Sequence, residues 1–245
     1  MESLHSAHSA TISKLYRYII ALPLAATTGP MYCRSMLVFM PQSLAFLAVP
    51  KTGSTALQLA LSPHADIVFK KSQKHISARR FHRRVRPFVR DTFGIELESF
   101  ALLRNPEDHL RSWYKYRRRR EIRDKPEFVG DRSFDEFVNA ALAEDPPPYA
   151  RIGTQYSMLS GRGGRILVDH LFAYEQWDRM EAFLAERFQQ RISCLPQNVS
   201  PFVTAELTPQ TRARLHDARR AEVDLHRRLM DAGGKLTPRR RQGPL

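Results

Sequence analysis

Residues Leu44–Leu61 form the stretch LAFLAVPKTGSTALQLAL, and the rest of the chain is best interpreted outward from it. The apolar run from Leu44 to Val49 is typical of a buried strand, and leucines four positions apart, at 57 and 61, indicate a helix. Between them lies the loop Pro50–Thr55, which holds one lysine and several small residues. Loop N–H groups, the positive end of a helix dipole and a lysine together favour an anion such as phosphate or sulfate.

Two details qualify this interpretation of the loop. Gly53 permits close approach of the backbone to a ligand, and the Ser54 and Thr55 hydroxyls add donors. The ATP-loop pattern G-x-x-x-x-G-K-[ST] is absent from the stretch, so the motif does not predict an ordinary ATP site. A well-capped turn with no ligand is the alternative that this stretch alone leaves open.

Composition restricts the class of protein and of partner. A chain of 245 residues is long enough for one α/β domain with a full core. Lys+Arg of 39 against Asp+Glu of 25 gives a net charge of +14, which favours nucleic acid, a nucleotide, an acidic glycan or a membrane surface as partner. Two cysteines, Cys33 and Cys194, make no disulfide framework and match no metal-site spacing, so we expect a reducing, cytoplasmic location.

The two ends of the chain differ from its middle. The apolar patch Tyr18–Ala26 is interrupted by Pro23 and is far shorter than the roughly 20 residues of a spanning helix. We therefore predict no transmembrane segment and a loosely attached extension over residues 1–35, with a weak signal or membrane anchor as the alternative. The folded domain is predicted over residues 36–234, followed by a disordered basic tail over 235–245.

Strand and helix patterns alternate through the predicted domain. Further strands are predicted at Asp66–Phe69, Ser99–Leu103 and Ile166–Tyr174. Helix starts are predicted after Ser77, after Ser133 with its capping partner Glu136, and at Thr208-Pro209, where one long helix runs to Gly233-Gly234. This alternation predicts a three-layer α/β sandwich with a mainly parallel central sheet.

A second polar segment follows the strand Ser99–Leu103. Arg104 comes directly after that strand, Pro106 suits the first turn of a helix, and Ser112 lies eight positions after the arginine. Because the carboxyl ends of parallel strands meet at one edge of a sheet, Lys51, Arg104 and Ser112 are predicted to converge. Their ligand would carry two separate anionic groups.

These segments carry a family resemblance. The chain resembles sulfotransferases that use 3′-phosphoadenosine 5′-phosphosulfate (PAPS), and in particular their bacterial and carbohydrate-type branch. PKTGST at Pro50–Thr55 resembles the family's 5′-phosphosulfate loop, and RNPEDHLRS at Arg104–Ser112 resembles its 3′-phosphate segment. The likeness extends from about Leu44 to Leu229 and includes Gln155, VDHLFAYEQW at Val168–Trp177 and LPQNVSP at Leu195–Pro201.

The resemblance implies a P-loop, nucleotide-kinase-like fold that binds PAPS and its product 3′,5′-ADP without a metal. Lys51 would contact the 5′-phosphate and the leaving oxygen. The 5′-phosphate would also accept hydrogen bonds from the other loop residues, Thr52, Gly53, Ser54 and Thr55. Arg104 and Ser112 would hold the 3′-phosphate. An acceptor hydroxyl or amine would attack sulfur in line. Carbohydrate is the acceptor favoured by this branch, while lipid, peptide and small-metabolite acceptors remain open.

The acceptor proton requires a base, for which His75 is the candidate. It follows Lys74 as the Lys-His pair that members of this branch often show, and the surrounding positive charge should keep its imidazole neutral. A surface histidine, or another base such as Glu96 or His109, is the alternative. Glu175 is predicted instead to orient the loop.

Two basic runs, Arg79–Arg90 and Lys115–Arg123, have two interpretations: solvated helix faces, or contacts to an anionic acceptor. Two other functions also compete with the sulfotransferase. A P-loop kinase would require a GK[ST] lysine and a Mg²⁺-binding carboxylate, and neither is evident. A nucleic-acid-binding protein would use the +14 charge, but the chain has no helix-turn-helix, zinc or RNA-binding signature.

Overall fold

The structure is a computed structural model that describes residues 36–69, 75–194 and 205–238. Within these ranges the chain is an α/β fold built on an open, mixed sheet of six strands in the order β3-β1-β2-β4-β5-β6. The strands are β1 Met36–Phe39, β2 Leu44–Phe46, β3 Ile67–Phe69, β4 Glu98–Leu103, β5 His170–Ala173 and β6 Lys235–Leu236.

The prediction of a mainly parallel sheet is wrong. Only β2–β4 and β4–β5 pair in parallel, whereas β1 is antiparallel to both β2 and β3, and β6 is antiparallel to β5. The turn from Met40 to Ser43 joins β1 directly to β2, and so short a connection permits only antiparallel pairing. The four strands predicted from the sequence share one direction, and the two that were not predicted run the other way.

Helices cover both faces of the sheet. They are α1 Ser54–Leu61, α2 in three consecutive segments (Ala78–Arg80, Phe81–Val85 and Arg86–Phe93), α3 Pro106–Arg117, α4 Phe134–Ala141, α5 Gln155–Leu159, α6 Trp177–Phe188, α7 Pro209–Ala218 and α8 Arg220–Asp231. Single 3₁₀ turns lie at Ser62–His64, Arg120–Ile122, Arg162–Gly164 and Tyr174–Gln176.

Alternation along the strands creates a separate core on each face. In β1, Met36 and Val38 pack with residues of α2 and α8, whereas Leu37 and Phe39 pack with residues of α1 and α6. A third, smaller core joins α3, α4 and α7 around Leu110, Phe137 and Leu215. Burying both faces explains why β4 has no exposed residue and why its sequence is an unbroken apolar run after Ser99.

Capping residues place the helices largely as predicted. The Ser77 hydroxyl accepts from the Arg80 N–H at 3.4 Å, and Ser133 and Glu136 form a complete capping box. The single long helix predicted after Thr208 is wrong, because the chain breaks at Arg219 (φ −115°, ψ 30°) into α7 and α8. In α2, a π-helical segment precedes Pro87, which lies in the first turn of the last segment.

The boundaries of the domain also differ from the prediction at the carboxyl end. Lys235 and Leu236 form the edge strand β6 and pair with β5, so the ordered fold extends beyond the predicted limit at residue 234. The predicted extension over residues 1–35 lies outside the described residues, as do residues 239–245 of the predicted tail. None of the helices in the described ranges is long and apolar enough to cross a membrane.

Candidate functional site

The loop between β2 and α1 lies beside the end of β4. The backbone continues from β2 with Leu47, whose N–H donates to the Phe100 carbonyl oxygen at 2.9 Å, and this bond keeps the two parallel strands together up to the loop. Arg104, directly after β4, donates from Nη1 to the Lys51 carbonyl oxygen at 3.3 Å. The two segments that the sequence predicted to converge are therefore in contact.

Two residues of the loop adopt left-handed backbone conformations. Lys51 has φ 65° and Gly53 has φ 72°, and this region costs a residue with a side chain roughly 1–2 kcal/mol. A Cβ on Gly53 would lie 2.7 Å from the Trp177 ring and 3.2 Å from the Tyr174 ring. Gly53 is thus required by the backbone angle and by the aromatic rings that pack against the loop.

The Lys51 side chain points toward an aromatic face of α3. Its Nζ lies 4.3 Å from the centroid of the Tyr116 ring and 5.4 Å from that of Trp113. Residues 109, 112, 113 and 116 are spaced three and four apart, so they share the face of α3 that meets the loop. Ser112, half-buried, belongs to this face. Cation–π attraction holds the lysine side chain against this face of α3.

The hydroxyl residues of the loop fall into two groups. Thr52 is fully buried, and its Oγ1 donates to the Val49 carbonyl oxygen at 2.9 Å, so its hydroxyl stabilises the turn itself. Ser54 and Thr55 begin α1, whose N-cap is Gly53 and whose first turn contains no acidic residue. The first-turn N–H groups of α1 are therefore neither capped by the N-cap side chain nor balanced by a carboxylate of that turn.

Arg104 is held by its backbone on one side and by an aromatic ring on the other. Gln155 brackets its peptide: Oε1 accepts from the Arg104 N–H at 2.9 Å, and Nε2 donates to the Arg104 carbonyl oxygen at 2.8 Å. The guanidinium carbon lies 4.4 Å from the Tyr174 ring centroid. Among the described residues, the buried Nε of Arg104 has no hydrogen-bond acceptor.

Glu175 orients the segment that follows Arg104, whereas the sequence predicted that it would orient the loop Pro50–Thr55. Its Oε1 accepts from the Asn105 N–H at 2.7 Å, and its Oε2 lies 3.1 Å from Nε2 of His226 on α8. Burial raises the pKa of Glu175, but the hydrogen bonds from His226 and from the Asn105 backbone outweigh this effect, so the net pKa is lowered. The carboxylate thus stays ionised and ties three elements together.

His109 lies beneath the loop and is unsuited to act as a base. Its Nε2 is 3.2 Å from the Pro50 carbonyl oxygen, which makes Nε2 the donor. Burial, with the positive charges of Arg219, Arg104 and Lys51, lowers its pKa to about 3. A fully buried imidazole that stays neutral and supports the loop is a structural element, so this alternative to His75 is disfavoured by its surroundings.

His75 lies on the same side as the loop. Its Nδ1 is 2.7 Å from the carbonyl oxygen of Ala48, three residues before Lys51. Because a carbonyl oxygen only accepts, Nδ1 carries the proton and Nε2 carries the lone pair of the neutral ring. Glu96, another alternative base, is exposed and pairs with Arg86 at 3.4 Å. Lys74 and the segment Leu195–Pro201 lie outside the described residues.

Several residues of the site were not singled out from the sequence. Trp113 and Tyr116 lie close to the Lys51 ammonium. The Tyr174 ring packs against the Arg104 guanidinium, and both Tyr174 and Trp177 lie against Gly53. Glu222 of α8 accepts a hydrogen bond from Gln155 Nε2 at 2.9 Å. The spacing of Trp113 and Tyr116 from His109 was a usable signal, since i, i+4 and i, i+7 share a helix face. No sequence signal indicated Glu222, because its contact with Gln155 depends on the break between α7 and α8 at Arg219.

Comparison with protein-family models, with curated proteins and with solved structures finds no match in any of the three. Within residues 36–69, 75–194 and 205–238, no three His, Cys, Asp or Glu side chains are grouped so as to hold a metal ion.

Proposed function

We propose that this protein is a PAPS-dependent sulfotransferase that transfers a sulfuryl group to a hydroxyl or amine of an acceptor, with carbohydrate as the favoured class. The contact between Arg104 Nη1 and the Lys51 carbonyl oxygen carries the proposal. It joins two segments that resemble the family's two phosphate-binding segments and that lie far apart in the sequence. A ligand with anionic groups at both its 5′ and 3′ ends matches this pair of cationic residues.

On the 5′ side, the loop would hold the phosphosulfate. The N–H groups at the start of α1 and the hydroxyls of Ser54 and Thr55 supply neutral donors, and Lys51 supplies a full positive charge. As the sulfuryl group leaves, negative charge develops on the bridging oxygen, and a lysine at that position stabilises it. Thr52 and Gly53 contribute through the backbone, since the Thr52 hydroxyl is bonded within the turn.

On the 3′ side, Arg104 would pair with the phosphate. Its Nε is a buried donor without an acceptor in the described part of the chain, and such a donor costs free energy until an acceptor reaches it. A phosphate oxygen would satisfy Nε, and guanidinium geometry suits a phosphate. Ser112 lies on the face of α3 that meets the loop and would add one hydroxyl donor.

His75 is the base in this proposal. The hydrogen bond to Ala48 sets the tautomer in which Nε2 holds the lone pair, which is the state that accepts a proton from an acceptor hydroxyl. The same bond connects His75 to the backbone that leads into the loop, so that the base and Lys51 are positioned by one continuous segment.

Ligand selectivity in EDTA tests the proposal. Thermal unfolding of the full chain is followed with 3′,5′-ADP, with 5′-AMP, and with ATP in the presence or absence of Mg²⁺. We expect 3′,5′-ADP to raise the Tm most and to do so in EDTA, and we expect radiolabelled sulfate to move from PAPS to at least one member of a carbohydrate acceptor panel. Stabilisation by ATP only with Mg²⁺ would indicate a kinase instead, and failure to bind either PAPS or 3′,5′-ADP would refute the sulfotransferase.

A further inference from the structure

The outward face of α2 consists of arginines in its N-terminal half. Ala78, Phe81, Val85 and Val89 are buried against the sheet, and the exposed side of the first two turns carries four arginines: Arg79, Arg80, Arg83 and Arg84. Arginines four positions apart on a helix lie about 6 Å from each other. The four side chains therefore form a compact cationic surface, which we call the arginine face.

The C-terminal half of α2 is different, because its arginines have carboxylate partners. Arg86 pairs with Glu96 at 3.4 Å, and Arg90 pairs with Asp91 at 2.8 Å. Among the described residues, no carboxylate lies within ion-pair distance of any member of the arginine face. Within the described ranges, positive charge is thus compensated at one end of the helix and uncompensated at the other.

The uncompensated end is the one that adjoins the candidate site. His75 contacts the Ala48 carbonyl at the base of the loop, and Arg79 follows only four residues later, a span of at most about 14 Å. The N-terminus of α2 adds the positive end of the helix dipole in the same place. The arginine face therefore begins within about 14 Å of the candidate base.

The arginines of the second basic run, Lys115–Arg123, make different contacts from those of the arginine face. Arg117 is buried and donates to the carbonyl oxygens of Pro148 and Arg151, and Arg118 donates to the Tyr114 hydroxyl at 2.9 Å. Arg119 stacks over the Tyr116 ring. These arginines bind the protein's own backbone and aromatic rings, so the two basic runs do not share one role.

We propose that the arginine face binds successive anionic groups of the acceptor, which is therefore a polyanionic glycan; this inference rests on the proposed function. Four guanidinium groups on adjacent turns match a chain with regularly repeated carboxylates or sulfates, each of which can accept paired hydrogen bonds. The exposed Phe88 lies four positions after Arg84, so one aromatic ring borders the arginine face, which is fewer than the series of rings on which successive bases of single-stranded nucleic acid stack. A glycan is preferred to a nucleic acid because carbohydrate is the acceptor class of the proposed function, and single-stranded DNA is the competing polyanion in the test.

The test uses two double variants with the same change in charge. Arg83→Gln with Arg84→Gln alters the arginine face, and Arg220→Gln with Arg227→Gln alters exposed arginines of α8. The probe is an oligogalacturonate, with a neutral malto-oligosaccharide of equal length as control, and binding is measured by calorimetry at several salt concentrations. We expect the first variant to weaken oligogalacturonate binding about tenfold and the second to leave it nearly unchanged.

If the two double variants weaken oligogalacturonate binding equally, the arginine face is not a specific binding site. If single-stranded DNA of equal charge binds as tightly as oligogalacturonate and depends equally on Arg83 and Arg84, then a glycan is not the specific partner of the arginine face. Binding of 3′,5′-ADP in EDTA is measured on the same proteins and should be unchanged. If the parent protein binds oligogalacturonate through the arginine face but does not bind 3′,5′-ADP, the proposed function and the acceptor role fail while the polyanion surface stands.

Discussion

Two strand-to-helix junctions meet at the candidate site, and they are built in opposite ways. After β4, the Asn105 side chain caps α3 by accepting from the N–H groups of Glu107 and Asp108 at 3.0 and 3.3 Å, and those two acidic residues balance the helix dipole. After β2, α1 begins at Gly53 with no side-chain cap and no acidic residue in its first turn. Neighbouring parallel strands thus lead into one satisfied helix end and one open helix end.

The difference assigns separate tasks to the two junctions. An open helix N-terminus beside Lys51 contributes backbone donors and a positive charge, which suit an external anion. The capped junction keeps its backbone donors occupied and contributes only the Arg104 side chain. Substitutions at the junction after β2 should therefore affect the rate of sulfuryl transfer. Substitutions at the junction after β4 should affect either nucleotide affinity or stability.

The largest effect is expected from Lys51→Gly. Loss of the charge should lower the transfer rate from PAPS about 10²- to 10³-fold, which is the usual effect of removing one group that stabilises developing negative charge. Stability should change by less than about 1 kcal/mol, because glycine adopts the φ of 65° without steric cost. Initial rates with radiolabelled PAPS and urea unfolding measure the two quantities.

The exposed Lys125→Gly in the loop after α3 is the matched control and should retain full transfer. If Lys51→Gly keeps more than roughly a tenth of the parent rate, the open junction does not supply the catalytic charge. A loss of folding that accompanies the loss of transfer would assign Lys51 a structural role instead.

A smaller effect, on affinity alone, is expected from Arg104→Gln. Removing a charged donor should cost about 1.5–3 kcal/mol in 3′,5′-ADP binding, while 5′-AMP, which has no 3′-phosphate, should be nearly unaffected. Arg104→Lys should not restore affinity, because an ammonium lacks the guanidinium geometry. Calorimetry with both nucleotides checks this prediction. Equal weakening of the two would mean that Arg104 acts through the Lys51 carbonyl rather than on a 3′-phosphate.

The sequence predicted those parts of the site that depend on local pattern. Apolar runs located the central strands β2 and β4, Ser133 and Glu136 located a helix start, and the positions of Lys51 and Arg104 at strand ends predicted their convergence. Each of these signals lies within a few residues of the feature it predicts. Local chemistry is sufficient in such cases.

Features that depend on tertiary pairing were not predicted. Met36–Phe39 is an ordinary apolar run, and only its pairing with β2 and β3 makes it the antiparallel strand that renders the sheet mixed. Lys235–Leu236 is too short and too polar to resemble a strand until β5 pairs with it. His109 carries no sequence signal of burial, because the elements that cover it come from the loop and from Arg219, far along the chain.

The buried His109 beneath the open junction makes stability depend on pH. Its folded-state pKa of about 3 lies below the ordinary value of 6.5, so the unfolded chain binds the proton more tightly and stability falls as pH drops below 6.5. Between pH 7 and pH 5 this should remove about 2 kcal/mol, at about 1.4 kcal/mol per pH unit. His109→Gln keeps a donor for the Pro50 carbonyl and should lose this pH dependence.

Urea unfolding at pH 7, 6 and 5 measures the effect, and the exposed His216→Gln on α7 is the matched control. The difference in pH slope between the parent and His109→Gln isolates this imidazole, because the other histidines and the carboxylates whose pKa values are lowered, Glu98, Glu107, Asp135, Glu136 and Glu175, are common to both proteins. An identical pH slope in the parent and in His109→Gln would show that the imidazole is not buried in the neutral state.

The smallest effect, and the sharpest contrast between the junctions, is expected from Asn105→Ala. Loss of the cap should cost about 1 kcal/mol of unfolding free energy, since two N–H groups lose their acceptor, and Asn105→Asp should recover it. The affinity for 3′,5′-ADP should stay the same, because the Asn105 backbone bond to Glu175 remains and continues to hold Arg104 in place. Urea unfolding with and without saturating 3′,5′-ADP separates these effects: the ligand should add the same increment of stability to both proteins. A smaller increment in Asn105→Ala would mean that the cap also shapes the nucleotide site, and the two junctions would then act as one unit.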